Sequence, residues 1–327
     1  MLVYDRARRP HWADGDSEGL PGQWEVVEDG SRRDAFAVTN ALDGLLTERL
    51  CAEPPKRAAG RSAGMQECCV DTALSVCMLA SGSKGNCIHI AAGGKAILVD
   101  AGLSGREIER RMVQRDLQPN ALQAIIVSHE HIDHIRGVGV LARRYKLPVY
   151  MSSETACAAL ASLGKLPHFF YFQAGKPFLL PPFCIHPFNV SHDAVDPVGF
   201  TICMNGSRIG IATDLGIATG LVREHLKGCH LLVLEANHDL DMLVNGPYPW
   251  PLKQRIKGRN GHLSNDAAEA LLRSVMTVDL RYVILGHLSE TNNTANQALK
   301  IVRKAIDGHD IRLLVAEQDH SGPVVML

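Results

Sequence analysis

The chain has 327 residues, of which 46% are hydrophobic and 21% are charged, and its formal net charge is −1 at pH 7. This length and composition fit a globular domain with a sizeable core plus an additional segment. The balanced charge excludes a protein that binds nucleic acid by overall charge alone. Nine cysteines without CxxC spacing argue against a disulfide framework and fit reduced thiols in a cytoplasmic protein.

The first segment, residues 1–75, is rich in Arg, Asp, Glu, Gly and Ala. We predict an N-terminal extension that is disordered or loosely attached, with one helical-looking patch at 35–50. An alternative is a mis-assigned start, with translation beginning at Met65 or Met78. The start of the chain lacks the apolar core of a signal peptide, and no run approaches the length of a membrane span. We therefore expect no membrane contact, while the oligomeric state cannot be read from the sequence.

The rest of the chain, residues 76–327, alternates short β-rich runs with amphipathic segments, which predicts an α/β domain. Two mixed sheets between outer helices fit this order, so the predicted architecture is a four-layer αββα sandwich. The predicted strands are 87–91, 96–100, 124–128, 148–151, 184–190, 199–204, 208–214, 231–235, 282–286, 311–316 and 323–326. The predicted helices are 106–117, 138–145, 155–163, 218–226, 265–275 and 296–306.

The most informative stretch is the heptapeptide SHEHIDH at 128–134, which follows the apolar run 124–127 and therefore lies at a strand end. Alternate residues of an extended segment share a face, so His129 and His131 can reach the same metal ion. Imidazole and carboxylate together suit zinc or another first-row metal. Asp133 and His134 are adjacent and must diverge, and a turn before them would direct them to a neighbouring ion. The motif therefore favours two metal ions over one.

Two ions need more ligands than this motif supplies. His192, Asp214 and His287 each stand where an apolar run meets a polar turn. Taken singly, they could be a core histidine, a turn aspartate and a neighbour of a helix cap. Their shared position at strand ends favours metal ligation.

The order of these residues, with Asp100 before them, resembles the five-motif signature of the metallo-β-lactamase fold. Several further segments resemble the YycJ/WalJ (VicX) group of bacterial exonuclease-like proteins, and the resemblance extends from about Cys77 to the C-terminus. These segments are ASGSKGN at 80–86, EANHD at 235–239, GPYPW at 246–250, GHLSN at 261–265 and HLSETNN at 287–293.

The resemblance implies a metal-dependent phosphodiesterase, a 5′-3′ exonuclease acting on DNA, with two divalent ions (zinc or manganese) that activate water. Asp133 would also take part in catalysis, and Asp100 would orient a ligand from outside the ligand set. The spacing between His192 and Asp214 is too short for the arm that tRNA-processing relatives insert there. The implied ligands are His129, His131 and His192 on one ion, Asp133, His134 and His287 on the other, and Asp214 bridging both.

Two ions already have enough ligands without His262. We therefore assign His262 to proton donation or charge stabilisation at the leaving oxygen. A surface-loop histidine is the alternative. Glu235 is a weaker candidate for orienting His262, and a plain strand-end carboxylate is an equal alternative. Four cations lead directly into His262 and favour phosphate contacts with nucleic acid, and a solvated surface face is the alternative; they are Lys253, Arg255, Lys257 and Arg259.

Two other functions remain open. A hydrolase of thioesters or lactones on the same fold would not need His262 or the basic run, and fold alone does not decide between the two. A metal-binding regulatory protein without turnover would require a missing ligand, and every expected ligand is present in the sequence.

Overall fold

The computed structural model describes residues 73–327. The predicted extension at 1–75 therefore lies almost wholly outside the described residues, together with its helical patch and the alternative start at Met65. These stay predictions, as does the alternative start at Met78. Within the described part, two seven-stranded sheets are present. None of the helices there has the length and hydropathy needed to cross a bilayer.

The first sheet has the strand order β14-β1-β2-β3-β4-β5-β6. Strands β14, β1, β2 and β3 pair antiparallel, whereas β3 to β6 run parallel. The strands are β1 (Ser75–Ala80), β2 (Cys87–Ala92), β3 (Lys95–Val99), β4 (Leu122–Ile126), β5 (Pro148–Met151), β6 (His168–Tyr171) and β14 (Val324–Met326).

The second sheet has the order β13-β12-β11-β10-β9-β8-β7, antiparallel from β7 to β10 and parallel from β10 to β13. The strands are β7 (Phe178–Leu180), β8 (Phe183–Asn189), β9 (Val198–Met204), β10 (Ser207–Ala212), β11 (Leu231–Glu235), β12 (Tyr282–Gly286) and β13 (Arg312–Val315).

Nine α-helices of the described region connect or cover these strands. They are α1 (Gly105–Val113), α2 (Ile132–Ile135), α3 (Val138–Tyr145), α4 (Ser153–Leu163), α5 (Gly220–Leu226), α6 (Leu240–Asn245), α7 (Trp250–Lys257), α8 (Asn265–Val275) and α9 (Ala295–Val302). Short 3-10 turns lie at Pro119–Ala121 and Arg303–Ala305.

Strand alternation produces the layers. In β3, Ile97 and Val99 face the core between the two sheets, whereas Leu98 faces the core beneath α1, α3 and α4. In β11, Val233 faces the shared core and Leu234 faces the core beneath α5, α8 and α9. The predicted four-layer αββα sandwich is thereby confirmed.

The strands and helices predicted within residues 76–327 all exist, with bounds shifted by a few residues. The sequence prediction missed three strands (β1, β6 and β7) and three helices (α2, α6 and α7). Helix α7 starts Trp-Pro, carries three cations and has no buried residue, so it lacks the apolar stripe by which a helix is found in a sequence. Strand β6 is exposed at all four positions, at the edge of its sheet.

Candidate metal centre

Many of the predicted site residues lie at one edge of the sandwich, at or just after the ends of five strands. Asp100 follows β3, the SHEHIDH segment follows β4, Asp214 follows β10, Glu235 ends β11 and His287 follows β12. Because β3 and β4 are parallel, as are β10, β11 and β12, their carboxyl ends lie side by side. Sequence segments far apart along the chain therefore meet here.

Three of these strand-end residues adopt left-handed backbone conformations. The φ angles are 59° for Asp100, 59° for Asp214 and 55° for His287. Such conformations are uncommon for residues other than glycine and cost free energy, so the surrounding fold must enforce them. A turn of this kind directly after a strand redirects the side chain towards the centre.

The first predicted ligand group is His129, His131 and His192, and the structure brings all three together, with one nitrogen from each within 4.8 Å of the others. The Nε2 of His129 lies 3.1 Å from the Nδ1 of His131. Two nitrogens bound to one tetrahedral zinc ion at ordinary bond lengths would be about 3.3 Å apart. The spacing therefore fits two ligands of one ion.

The second predicted group is Asp133, His134 and His287, which also lie within 4.8 Å of one another. Helix α2 supplies two of them: His131 occupies its N-cap position, and Asp133 and His134 follow in its single turn. The turn predicted before Asp133 and His134 is therefore a short helix. His129 nevertheless lies close to His134, with ring centroids 4.0 Å apart, and His129, His134 and Asp214 also lie within 4.8 Å of one another. Gly102 permits this packing, because a Cβ there would lie 1.6 Å from the carbonyl oxygen of Asp133.

Asp214 lies between the two groups. Its Oδ1 is 3.3 Å from the Nε2 of His287 and 3.9 Å from that of His192, and its Oδ2 is 3.4 Å from the Nε2 of His134. Neither Asp214 Oδ2 nor His287 Nε2 has a hydrogen-bond partner among the described residues, although both atoms are buried. Buried polar atoms of this kind need a partner, and a bound cation would provide one.

Outer hydrogen bonds orient the histidines. Asp100 Oδ2 is 2.8 Å from His134 Nδ1 and also accepts from the hydroxyl of Ser128, which lies 2.9 Å from His129 Nδ1. His192 Nδ1 lies 3.2 Å from the carbonyl oxygen of Gly261. Each contact occupies Nδ1 and leaves Nε2 directed into the cluster, as outer-shell bonds do in metal sites. Asp100 thus contacts His134, one of the predicted ligands, directly.

The electrostatics reflect a dense cluster of buried charges. Burial opposes protonation of His287, yet the nearby carboxylates, Asp214 foremost, raise its pKa to about 10. Burial likewise opposes ionisation of Asp214, and His287 and His134 hold its pKa well below the ordinary value. Burial and the neighbouring His134 lower the pKa of His129 well below its usual value. Anionic carboxylates facing histidine nitrogens favour a bound cation.

His262 and Glu235 form a pair beside both ligand groups. The Nδ1 of His262 lies 2.6 Å from Glu235 Oε1. The centroid of the His262 ring lies 5.1 Å from the ring centroid of His192 and 5.0 Å from that of His287. Glu235 Oε2 accepts hydrogen bonds from the backbone N–H groups of Leu215 and Leu263. His262 therefore lies beside both ligand groups, and Glu235 is in direct contact with it.

The four cations of the basic run have different surroundings. Lys253 Nζ donates to the carbonyl oxygens of Val244 and Gly246, at 2.6 and 2.8 Å. Arg255 pairs with Asp193 through a contact of 2.6 Å. Lys257 and Arg259 are exposed, and Arg259 lines an open cleft of about 480 Å³ together with Arg255 and Asp193.

Sequence reasoning missed two side chains next to the ligands. Asn86 Nδ2 lies 3.3 Å from Asp133 Oδ2 and 3.1 Å from His134 Nε2, and Asp193 Oδ1 lies 3.4 Å from His192 Nε2. Asn86 closes a segment that the family resemblance singled out, which was a usable signal. Asp193 had only its adjacency to His192.

Comparisons with known proteins agree with this fold. The model of the metallo-beta-lactamase superfamily matches residues 81–287. The chain is 37% identical over 236 residues to exodeoxyribonuclease YycJ of Bacillus anthracis, covering 72% of this chain and 89% of that relative. It is 40% identical over 221 residues to exodeoxyribonuclease WalJ of Streptococcus pneumoniae D39, covering 66% of this chain and 82% of the relative.

Solved structures share the fold at low sequence identity. The metallo-beta-lactamase fold protein YhfI from Bacillus subtilis has a TM-score of 0.62 and 18% identity, covering 78% of this chain and all of that one (100%). Zinc-bound PqqB from Methylobacterium extorquens has a TM-score of 0.55 and 15% identity, and the match covers 76% of this chain and 99% of that one. The chain belongs to the metallo-β-lactamase superfamily. Within it, the chain belongs to the YycJ/WalJ group, which confirms the predicted resemblance.

Proposed function

We propose that this protein is a metal-dependent hydrolase of phosphodiester bonds, an exonuclease that digests DNA in the 5′-3′ direction. The observation that carries the proposal is the His262–Glu235 pair placed against both ligand groups. The names of the two relatives, both exodeoxyribonucleases, support the activity and the substrate. The polarity follows from the family resemblance.

We propose that the ligand groups hold two divalent ions, zinc or manganese. His129, His131 and His192 would bind one, Asp133, His134 and His287 the other, and Asp214 both. The buried Asp214 Oδ2 and His287 Nε2, which lack partners among residues 73–327, support this occupancy. When bound, such a pair supplies an activated water molecule and stabilises the attacking and leaving oxygens of an in-line displacement.

His262 and Glu235 would protonate the leaving group. Cleavage of a phosphodiester expels an alkoxide, which needs a proton. His262 is 21% exposed at its side chain, so it can touch the substrate, whereas Glu235 is fully buried and acts through the histidines that it contacts, His262 and His287. Burial opposes ionisation of Glu235, but His262 and His287 lower its pKa to about 2, so it remains anionic and accepts the Nδ1–H of His262. This leaves His262 Nε2 to face the leaving oxygen, and a second proton carried on Nε2 would pass to that oxygen.

The substrate would run past Arg255, Lys257 and Arg259, which line or adjoin the cleft beside Asp193. Lys253 belongs to the same run, but its bonds to two backbone carbonyls make its contribution to phosphate binding the smallest of the four. The alternative, a thioester or lactone hydrolase, has less support, because neither relative's name suggests it.

The test is digestion of end-labelled single- and double-stranded DNA and RNA, with thioester and lactone substrates in parallel. Purified protein supplied with Mn²⁺ or Zn²⁺ should shorten DNA from the 5′ end, and Asp133→Ala should not. Hydrolysis of thioesters or lactones with intact DNA would overturn the proposal.

A further inference from the structure

Two ion pairs each include a residue that lies close in sequence to a predicted ligand. Arg255 pairs with Asp193, the neighbour of the ligand His192, and Lys84 pairs with Glu290, which follows the ligand His287 by three residues. Lys84 Nζ lies 2.7 Å from Glu290 Oε2. The Arg255 pair belongs to the basic run already discussed. Lys84 has no assigned role, and it lies on the side of the second ligand group.

The loop that carries Lys84 is fixed to that second group at both of its ends. At the start, the hydroxyl of Ser81 accepts a hydrogen bond of 2.8 Å from the backbone N–H of His287. At the end, the backbone N–H of Asn86 donates to the carbonyl oxygen of Asp133, at 2.7 Å, and its side chain contacts His134. Residues 81–86 therefore hold their place relative to Asp133, His134 and His287.

The loop is also braced internally. The side chain of Asn86 bonds to both the N–H and the carbonyl of Gly82, and Gln318 bonds to the N–H of Lys84 and the carbonyl of Gly85. A rigid backbone lowers the entropic cost of a contact made from it. The side chain of Lys84 nevertheless remains 63% exposed and that of Glu290 46%. A firmly held loop thus presents a solvent-facing cation beside the centre.

The pair with Glu290 is easily exchanged. Ion pairs between exposed side chains contribute little to stability, since water screens them and both side chains lose freedom. A substrate phosphate offers the ammonium an equivalent anionic oxygen, and its binding also releases counterions from the nucleic acid. An incoming phosphate can therefore replace Glu290 at little cost.

We propose that Lys84 binds a phosphate of the nucleic-acid substrate next to the one that is cleaved, on the Asp133, His134 and His287 side, and that Glu290 holds Lys84 in position until the phosphate arrives. This inference rests on the proposed function. It gives the substrate a cationic contact on each side of the centre, Lys84 on one and Arg255 on the other.

The test measures binding of fluorescein-labelled single-stranded DNA at several salt concentrations, in a His262→Ala background with Mn²⁺ so that the DNA remains uncut. Adding Lys84→Ala should weaken binding about three- to tenfold near 0.1 M salt and lower the slope of log affinity against log salt by about 0.7. Lys84→Gln, which keeps the aliphatic chain, should do the same.

Lys227→Ala is the matched control. Lys227 also forms an exposed ion pair, 2.6 Å from Glu224, but it precedes β11, whose far end carries Glu235 to the centre. It therefore lies at the opposite end of the strand, and its removal should leave affinity and salt slope unchanged. Equal losses for Lys84→Ala and Lys227→Ala would reduce the effect to overall charge and overturn the inference.

Glu290→Gln supplies a change of the opposite sign. Removing the competing carboxylate should strengthen DNA binding about two- to fivefold, and this gain should vanish when Lys84→Ala is also present, because neighbouring groups are coupled. A gain that persists without Lys84 would be a general field effect and would count against the inference.

Comparing 5′-phosphorylated with 5′-hydroxyl DNA shows whether Lys84 binds a terminal or an internal phosphate. If it binds the terminal phosphate, the loss of affinity caused by Lys84→Ala should appear only with 5′-phosphorylated DNA. If it binds an internal phosphate, the loss should be the same for both DNAs, and either result supports phosphate binding. If the background protein binds DNA and loses nothing with Lys84→Ala, the inference alone fails. If it binds no nucleic acid, the proposed function fails.

Discussion

His262 Nδ1 lies 2.6 Å from Oε1 of Glu235, a carboxylate that is completely buried and yet anionic. Glu235 is fixed in turn by the backbone N–H groups of Leu215 and Leu263. The carboxylate therefore fixes the orientation of the ring and holds one proton on Nδ1, so a proton given to the leaving oxygen would be a second one, on Nε2. Its Oε1 is also 3.2 Å from His287 Nδ1, which connects the pair to the second ligand group.

His262→Ala should reduce DNA cleavage by at least about a hundredfold, because general acid catalysis contributes on that scale. Bound metal should be unchanged, since His262 is not among the proposed ligands. Cleavage rates and metal content are measured on the same preparation. Loss of metal from His262→Ala would make it a ligand instead.

Glu235→Gln tests the positioning role. We expect kcat to fall between about tenfold and a thousandfold, with the pH profile of kcat displaced and KM changed little, because the ring loses its orientation and tautomer. Glu235→Asp should recover part of the loss. A mutant that merely unfolds would show lower stability without a displaced pH profile, so thermal unfolding is recorded alongside.

Removal of single ligands should lower the metal content in steps. His131→Ala should retain about one ion per chain, whereas Asp214→Ala should retain less than one, because Asp214 stands between both groups. Elemental analysis of dialysed protein gives the ratio. His168→Ala, which removes an exposed histidine from the edge strand β6, is the control and should keep two ions. Equal contents in all three variants would argue against the assigned ligands.

The basic run should divide into two kinds of residue. Lys253→Ala should chiefly lower thermal stability, because its ammonium holds the carbonyls of Val244 and Gly246 at the end of α6. Lys257→Ala should leave stability unchanged and lower the salt slope of DNA binding by about 0.7 to 0.9. Binding and melting curves for both variants check this, and the reverse pattern would refute it.

His89 makes stability depend on pH away from the centre. It is 2% exposed, and burial lowers its pKa to about 4. The unfolded chain has a histidine pKa near 6.5 and binds more protons in this interval, so the stability provided by neutral His89 is present above about pH 6.5 and is lost as pH falls towards 4.

His89→Leu should remove this loss. The quantity compared is the unfolding free energy of the variant minus that of the wild type. This difference should be up to about 3 kcal/mol more favourable to the variant at pH 4 than at pH 7. Urea unfolding of the metal-free proteins at several pH values measures it. Parallel pH curves for wild type and variant would show that His89 is not responsible.

Much of the fold could be predicted because β-rich runs and amphipathic segments alternate clearly after residue 86, and the ligands could be predicted because they follow those runs. Strand β6 was missed because all its side chains are exposed, so it has no inward-facing pattern. The left-handed backbone at Asp100, Asp214 and His287 carries no sequence signal, since none of them is glycine.

The partners of the charged side chains were also beyond the sequence. Lys253 looked like a phosphate contact, but its bonds depend on how closely the end of α6 approaches α7. Asn86 meets His134 across 48 positions of chain because β2 and β4 lie in one sheet. Such contacts are decided by tertiary packing and not by local spacing.

The most direct test of the account follows DNA cleavage and bound metal together while Mn²⁺ is added to metal-free protein. We expect cleavage to rise with the second equivalent of bound ion, and Asp214→Ala to cleave at no metal concentration. Full cleavage with one ion bound, or intact DNA with two ions bound, would contradict the two-ion nuclease proposed here.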